Sequence, residues 1–272
     1  MRALGFGRIF GGPPLYRKNG VEVRERSGVR TLHLNSDTVQ SAMRIDRPDA
    51  LELSYTRAMM AFLLFCAPPP RLVLVGLGGG SLAKFIYRLM PETRTTAVEI
   101  DAEVIDVAHI YFALPRDSGR LRTMVADGAQ FVGAQSATVD SLLVDAYDGD
   151  SLAASFASDS FFFAAHRSLA AGGIFAINLW SNDRTFDRNL RRIEQAFGGA
   201  CVCLPAERPG NVVVLGFESK PDRDALRWVD LYERAESLEE RFGLEFRAFV
   251  SNLRRMNRHD EIGLILGNPL GS

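Results

Sequence analysis

Leu72-Val73-Leu74-Val75-Gly76-Leu77-Gly78-Gly79-Gly80-Ser81 is the stretch whose reading decides the fold. Four apolar residues in a row, bounded by a glycine cluster, predict a short strand buried on both faces. The glycines let the backbone turn sharply and approach a ligand closely. Leu82 to Leu89 follows with helical spacing, and a helix N-terminus favours negative or polar groups. Taken alone, the stretch is also compatible with a tight strand–helix turn that binds nothing.

Working outward, the pattern repeats. Strands are predicted at Thr95–Ile100, Leu121–Val125, Val139–Val144 and Gly173–Leu179, with helices at Ala102–Ala113, Ser160–Ala170 and Arg184–Phe197. Strand, helix, strand at this rhythm predicts an α/β fold, a doubly wound parallel sheet with helices on both faces. Ala200–Leu204 and Val212–Phe217 flank the short turn Pro205-Ala-Glu-Arg-Pro-Gly210, which predicts an antiparallel last strand. That ending suits a Rossmann-like sheet of the AdoMet methyltransferase type better than a dehydrogenase sheet.

Upstream, Val21–Arg26, Val29–Leu34 and Thr38–Met43 alternate between turns and predict a small antiparallel β domain. Ala50–Cys66 carries helical spacing and stops at Pro68-Pro-Pro70. Beyond Lys220-Pro221 the chain is charged and helical, with spacing of a packing or interface helix. The division predicted is residues 1–49 for the β domain, 50–220 for the sheet domain and 221–272 for a helical tail.

Bulk properties narrow the function classes. The 272 residues carry a formal net charge of -1, which gives no general pull toward nucleic acid or an anionic membrane. Three cysteines without framework spacing argue against a disulfide scaffold and for a reducing compartment. Cys201 and Cys203 lack further ligands nearby, so no metal is expected. The apolar run Ala58–Pro68 is too short to span a bilayer, and the start of the chain has no secretory h-region. A cytoplasmic protein without membrane partners is expected.

Three acidic positions follow the glycines, each at a strand end. Glu99 lies about 20 residues on, where a carboxylate accepts from ribose hydroxyls in dinucleotide and AdoMet sites alike. Asp101, on the opposite side of an extended chain, suits a helix cap. Asp127-Gly128 sits at the same sheet edge; a carboxylate there accepts from an adenine amino group, and N-capping of the next helix is equally open. Asp145 ends a buried apolar run, where a carboxylate is expensive without a partner or a task. With Asp148 it suits binding and deprotonating a cationic amine, while Asp148-Gly149 is also a turn signal. Gly76, Gly78 and Gly80 give G-x-G-x-G rather than the G-x-G-x-x-G/A of a nicotinamide site.

The order VLVGLGGGS, VEID, VADG, LLVDAYD resembles the spermidine synthase (polyamine aminopropyltransferase) family, whose order is GGGDGG, V[DE]ID, GDG, DSSDP. The likeness runs from about Val21 to Phe217, and Leu53-Ser54-Tyr55 resembles that family's F-S-Y segment. The resemblance implies that Gly76, Gly78, Gly80, Glu99, Asp127 and Gly128 hold the adenosine of decarboxylated S-adenosylmethionine or S-adenosylmethionine. It further implies Asp145 as general base, Tyr55 near the amine, Asp148 gripping a small-molecule amine substrate, and a homodimer. Three departures accompany it. Gly79 stands where the family has the aspartate that receives the donor's ammonium. Pro205-Ala-Glu-Arg-Pro209 lacks the channel tyrosine; Glu207 offers a replacement negative charge, and the alternative is Arg208 selecting an acidic substrate. Thr56 follows Tyr55 in place of Gln or His. The expected activity is aminopropyl transfer with altered substrate recognition; an AdoMet methyltransferase and a non-catalytic binding protein on the same scaffold are the alternatives.

Overall fold

The structure, a computed structural model, describes residues 13–148, 151–206 and 210–267. It begins with a four-stranded antiparallel meander of β1 (Tyr16–Lys18), β2 (Val21–Arg26), β3 (Val29–Leu34) and β4 (Ser41–Arg44). In β2, Val21 and Val23 are buried and alternate with the more exposed Glu22 and Arg24, as period-two patterning requires; in β3, Thr31 and His33 are buried as well as Leu32. β1 was not expected, because three residues carry no period. Its turn is legible afterwards: Asn19-Gly20, with φ of 48° and 83°, joins the Lys18↔Val21 pair as a two-residue hairpin.

The helix expected over 50–66 is split. α1 (Ser54–Met59) passes directly into a 3-10 turn at Met60–Leu64. All five residues of that turn are buried, so contacts on every side set its path, where one apolar face would have favoured a regular helix.

The main sheet then builds from its centre. β5 (Arg71–Val75) feeds α2 (Ser81–Leu89), and β6 (Arg94–Glu99) feeds α3 (Ala102–Tyr111). β7 (Leu121–Val125) leads into α4 (Gly128–Gly133), and β8 (Val139–Val144) into a small hairpin of β9 (Tyr147–Asp148) and β10 (Ser151–Leu152). α5 (Asp159–Ser168), β11 (Leu169–Trp180), α6 (Phe186–Ala196), β12 (Cys201–Pro205) and β13 (Asn211–Phe217) complete it. The spatial order is β12-β13-β11-β8-β5-β6-β7. β13, last in sequence, lies between β11 and β12 and runs antiparallel to both.

Alternation along the central strands fills two cores. Leu72, Leu74 and Leu143 face one layer, and Val73, Val75, Leu142 and Val144 the other. The first layer is completed by α7 (Trp228–Phe242) and α8 (Phe246–Met256), whose Trp228, Leu231, Phe246 and Phe249 join residues 60–64. Just past α8, the Asn257 side chain pairs with the outer edge of β12. Its Nδ2 donates to the Cys203 carbonyl and its Oδ1 accepts from the Cys203 amide, both at 2.7 Å.

The chain turns one way from β5 to β6 and β7, and the other way to β8 and β11. A crevice therefore opens at the carboxyl ends of β5, β6 and β8, the usual ligand position in such sheets. Among the described residues no helix is long and apolar enough to cross a membrane, all three cysteines are free, and no cluster is arranged to hold a metal ion.

Candidate active site

The crevice contains a cavity of about 350 Å³, lined by the glycine turn, the ends of β6 to β8 and residues of the amino-terminal meander. Its floor is the turn after β5. Gly76 has φ of 84°, and a Cβ there would stand 2.2 Å from the backbone oxygen of Asp145. The turn and the strand carrying Asp145 thus touch backbone to backbone, which only glycine permits. The Asp145 amide donates to the Val75 carbonyl at 2.9 Å and locks the two strand ends together.

Glu99 ends β6 beside the turn. Its Oε2 accepts from the Leu77 amide at 2.9 Å, and its Oε1 from the amides of Ile100 at 2.9 Å and Asp101 at 3.2 Å. One carboxylate thereby holds the glycine turn and the start of the next segment in register. Asp101 caps α3 through the Glu103 amide at 2.8 Å. Asp127 caps α4: its Oδ1 accepts from Ala129 at 2.8 Å and Gln130 at 3.0 Å, and Oδ2 takes part in neither bond. Gly128 lies against the sheet, where a Cβ would stand 2.4 Å from Val75 Cγ1. Glu99, Asp127, Gly128, Gly76 and Gly78 all line the cavity. Gly80 is set back from it, in the left-handed region at φ of 71°, where it starts α2.

The other end of the cavity is built from distant parts of the chain. Asp145 is half-buried, and its desolvation is the main cause pushing its carboxyl up to about 6, opposed first by the Asn178 hydrogen bond and then by the nearby Tyr55 hydroxyl. Asn178 Nδ2 donates to Asp145 Oδ1 at 3.1 Å, and Asn211 Nδ2 donates to Asn178 Oδ1 at 3.1 Å. Tyr55, on α1, donates to the Gln40 carbonyl at 3.1 Å. Burial, then the Asp145 charge, hold its phenol well above the usual range. Tyr147 lines the cavity from β9, and its hydroxyl is likewise raised by burial and by Asp145. A narrow recess of about 10 Å³ behind the glycine turn is lined by Ser41, Tyr55, Thr56, Ser81 and Asp145 among others. Thr56 turns its hydroxyl back to the Leu53 carbonyl at 2.7 Å.

The structure therefore brings Asp145 and Tyr55 to one end of the crevice and Glu99 and Asp127 to the other. Asp148 lies on β9 next to Tyr147, its side chain outside the described residues; Glu207 lies wholly outside them. Residues not expected from the sequence are Ser41, Gln40, Asn178 and Asn211. Ser41, at the start of β4, accepts from the Gly79 amide at 2.9 Å and ties the meander to the glycine turn. Asn178 had a readable signal: an amide within the apolar run Ile174–Leu179 is costly unless partnered. Ser41, Gln40 and Asn211 had none, since their roles exist only once remote strands are in place.

The spermine/spermidine synthase domain model matches residues 52–221. The polyamine aminopropyltransferase of Chromobacterium violaceum is 40% identical over 238 residues, covering 88% of this chain and 90% of that protein. The polyamine aminopropyltransferase of Neisseria meningitidis serogroup B is 39% identical over 238 residues, covering 87% and 90%. Among solved structures, a probable spermidine synthase from Corynebacterium glutamicum shares the fold at a TM-score of 0.68 and 22% identity, covering 91% of this chain and 95% of that one. Human methyltransferase-like protein 13, solved with SAH, matches at 0.62 and 25% identity, over 70% and 93%.

Proposed function

This chain belongs to the spermine/spermidine synthase family, and from that premise we propose that it moves the aminopropyl group of decarboxylated AdoMet to an amine acceptor. The choice of donor rests on one observation. Among the described residues lining the cavity, the charged side chains are Glu99, Asp101, Asp127 and Asp145, all carboxylates, with no lysine or arginine. A sulfonium bearing a terminal ammonium is favoured there. Intact AdoMet brings an additional carboxylate, which like-charge repulsion disfavours in a partly dry site.

In this reading Glu99 accepts from the ribose hydroxyls, and Asp127 with the Gly128 amide meets the adenine edge. The glycine turn at Gly76, Gly78 and Gly80 supplies close backbone approach. Asp145 is the general base and Tyr55 orients the amine beside it, with Asp148 and Glu207 assigned to the amine's far end. An alkylammonium has a pKa near ~10.4 in water, and desolvation in the crevice lowers it. Asp145, ionised above about pH 6, then takes the proton. The nitrogen lone pair attacks the methylene beside sulfur, the C–S bond breaks, its electron pair stays on sulfur, and methylthioadenosine leaves. Holding nitrogen, carbon and sulfur in line supplies much of the remaining acceleration.

Substrate recognition is altered at Gly79. A Cβ there would stand 2.9 Å from Phe112 Cδ1 and 3.0 Å from Ser41 Cβ, so no side chain fits without displacement. The donor's ammonium is met instead by the hydroxyl-lined recess beside Asp145. The three-part division at residues 49 and 220, the cytoplasmic location and the homodimer belong to this same reading; light scattering tests the last.

The deciding experiment supplies the protein with decarboxylated or intact AdoMet and a panel of amines, and identifies the nucleoside product by mass. Methylthioadenosine is expected. Adenosylhomocysteine would assign methyl transfer instead. Neither product, with no nucleoside binding by calorimetry, would sink both.

A further inference from the structure

Asn178 sits in β11 between Ile177 and Leu179 and is 3% exposed. Asn211 lies two pairs further along the antiparallel β13, since Asn178 pairs with Val213 and Trp180 with Asn211. Diagonal neighbours at this offset are within reach of long side chains. The donors point one way throughout: Asn211 N–H to Asn178 oxygen, then Asn178 N–H to Asp145 oxygen. A primary amide offers two ends of nearly equal size, one donating and one accepting. With its oxygen toward Asp145, Asn178 would set acceptor against acceptor, beside an anion, in a buried place. Neither asparagine lines the cavity or its recess.

We propose that Asn211 is a positioning residue for the base: by occupying the Asn178 oxygen it fixes which end of that amide faces Asp145, and so fixes the carboxylate's rotation and charge. This rests on the aminopropyl transfer reading for its link to turnover, though not for the relay itself. The other titratable groups facing Asp145 are Tyr55 from α1 and Tyr147 from β9. Across the cavity stand Glu99 and Asp101 at the end of β6 and Asp127 at the end of β7. Both phenols are raised and stay neutral through the range in question.

The sign of the effect follows. An N–H donor on the carboxylate favours its ionised form, so loosening the amide raises the pH at which Asp145 titrates. The test is a double-mutant cycle of Asn178→Leu and Asn211→Leu, read two ways. First, the Asp145 carboxyl is followed by its ¹³C shift against pH, assigned by its loss in Asp145→Asn. Second, kcat and donor KM are measured across the acid limb. Expected are an upward move of about half to one pH unit in each single variant, and roughly two- to five-fold lower kcat near pH 6 with donor KM unchanged. The double variant should match Asn178→Leu alone.

An unmoved carboxyl titration in Asn211→Leu overturns the proposal, as does a double variant whose effects add. Asn211→Asp supplies a second test where the leucine variant fails to fold: an acceptor at 211 turns the amide over, and the upward move must be larger. If the wild type makes no methylthioadenosine, the functional reading fails while the carboxyl titration still judges the relay.

Discussion

The two ends of the cavity are both made of carboxylates, yet they are held in opposite ways. At the end proposed to hold the nucleoside, Glu99 and Asp127 are fixed by backbone amides within a few residues of themselves, apart from the one bond Glu99 makes to Leu77. At the end proposed to react, Asp145 depends on side chains from α1, β11 and β13 and is half-buried besides. Local backbone anchoring yields a rigid anionic cradle that needs nothing from elsewhere. Long-range anchoring leaves a carboxylate whose charge is costly, as a proton acceptor requires.

The largest test of that contrast is Asp145→Asn. Turnover is expected to fall about 10²–10⁴-fold, the range for losing a general base. Stability moves the other way. The folded carboxyl titrates at about 6 against an ordinary value of 3.8, so between those values the folded state holds more protons than the unfolded chain. Stability therefore falls as pH rises through that window, by roughly 3 kcal/mol in full above it. The asparagine variant escapes this, and its melting temperature should exceed the wild type's at pH 7 and match it near pH 4. Unchanged turnover would show that the chain works without this base.

Glu99→Gln probes the opposite end. Losing the charge-assisted bond to the Leu77 amide, and with it the bonds proposed to ribose, should raise donor KM about 10–100-fold with kcat little changed. A collapse of kcat at constant KM would erase the functional distinction between the two ends. Gly79→Ala is smaller: crowding Phe112 and Ser41 should cost about 1–3 kcal/mol, visible as a lower melting temperature, with turnover surviving. A neutral result would mean that niche can open for a side chain. The least effect is expected of Asp127→Asn. Asparagine caps a helix as well as aspartate does, so stability should hold within a few tenths of a kcal/mol while donor KM rises several-fold.

The same contrast explains what could be read from the sequence. The glycine turn, Glu99 and Asp127 were legible because each is defined by its own strand end and the helix that follows. The sheet and its antiparallel last strand were legible because apolar runs and turn chemistry are local. Asp145 could be singled out by cost alone, a carboxylate closing a buried strand. Its partners could not: Asn211 becomes relevant only because β13 inserts between β11 and β12, and no short-range pattern encodes that insertion. The 3-10 path of 60–64 was hidden for a related reason, since it is dictated by what surrounds it.

The pairing of Asn257 with Cys203 has a bearing on how this chain behaves in crowded solution. β12 is the outermost strand of a seven-stranded sheet, and an open edge of Cys-Val-Cys-Leu is a template on which another chain can add a strand. The amide of Asn257 imitates that missing strand at one residue, using both backbone groups of Cys203 at once. Chains cut after the sheet, or still emerging without α7, α8 and Asn257, would present that edge uncapped beside an uncovered apolar layer. The carboxyl-terminal segment is thus a built-in guard against self-association, and shortened forms of the protein are expected to aggregate well before they melt.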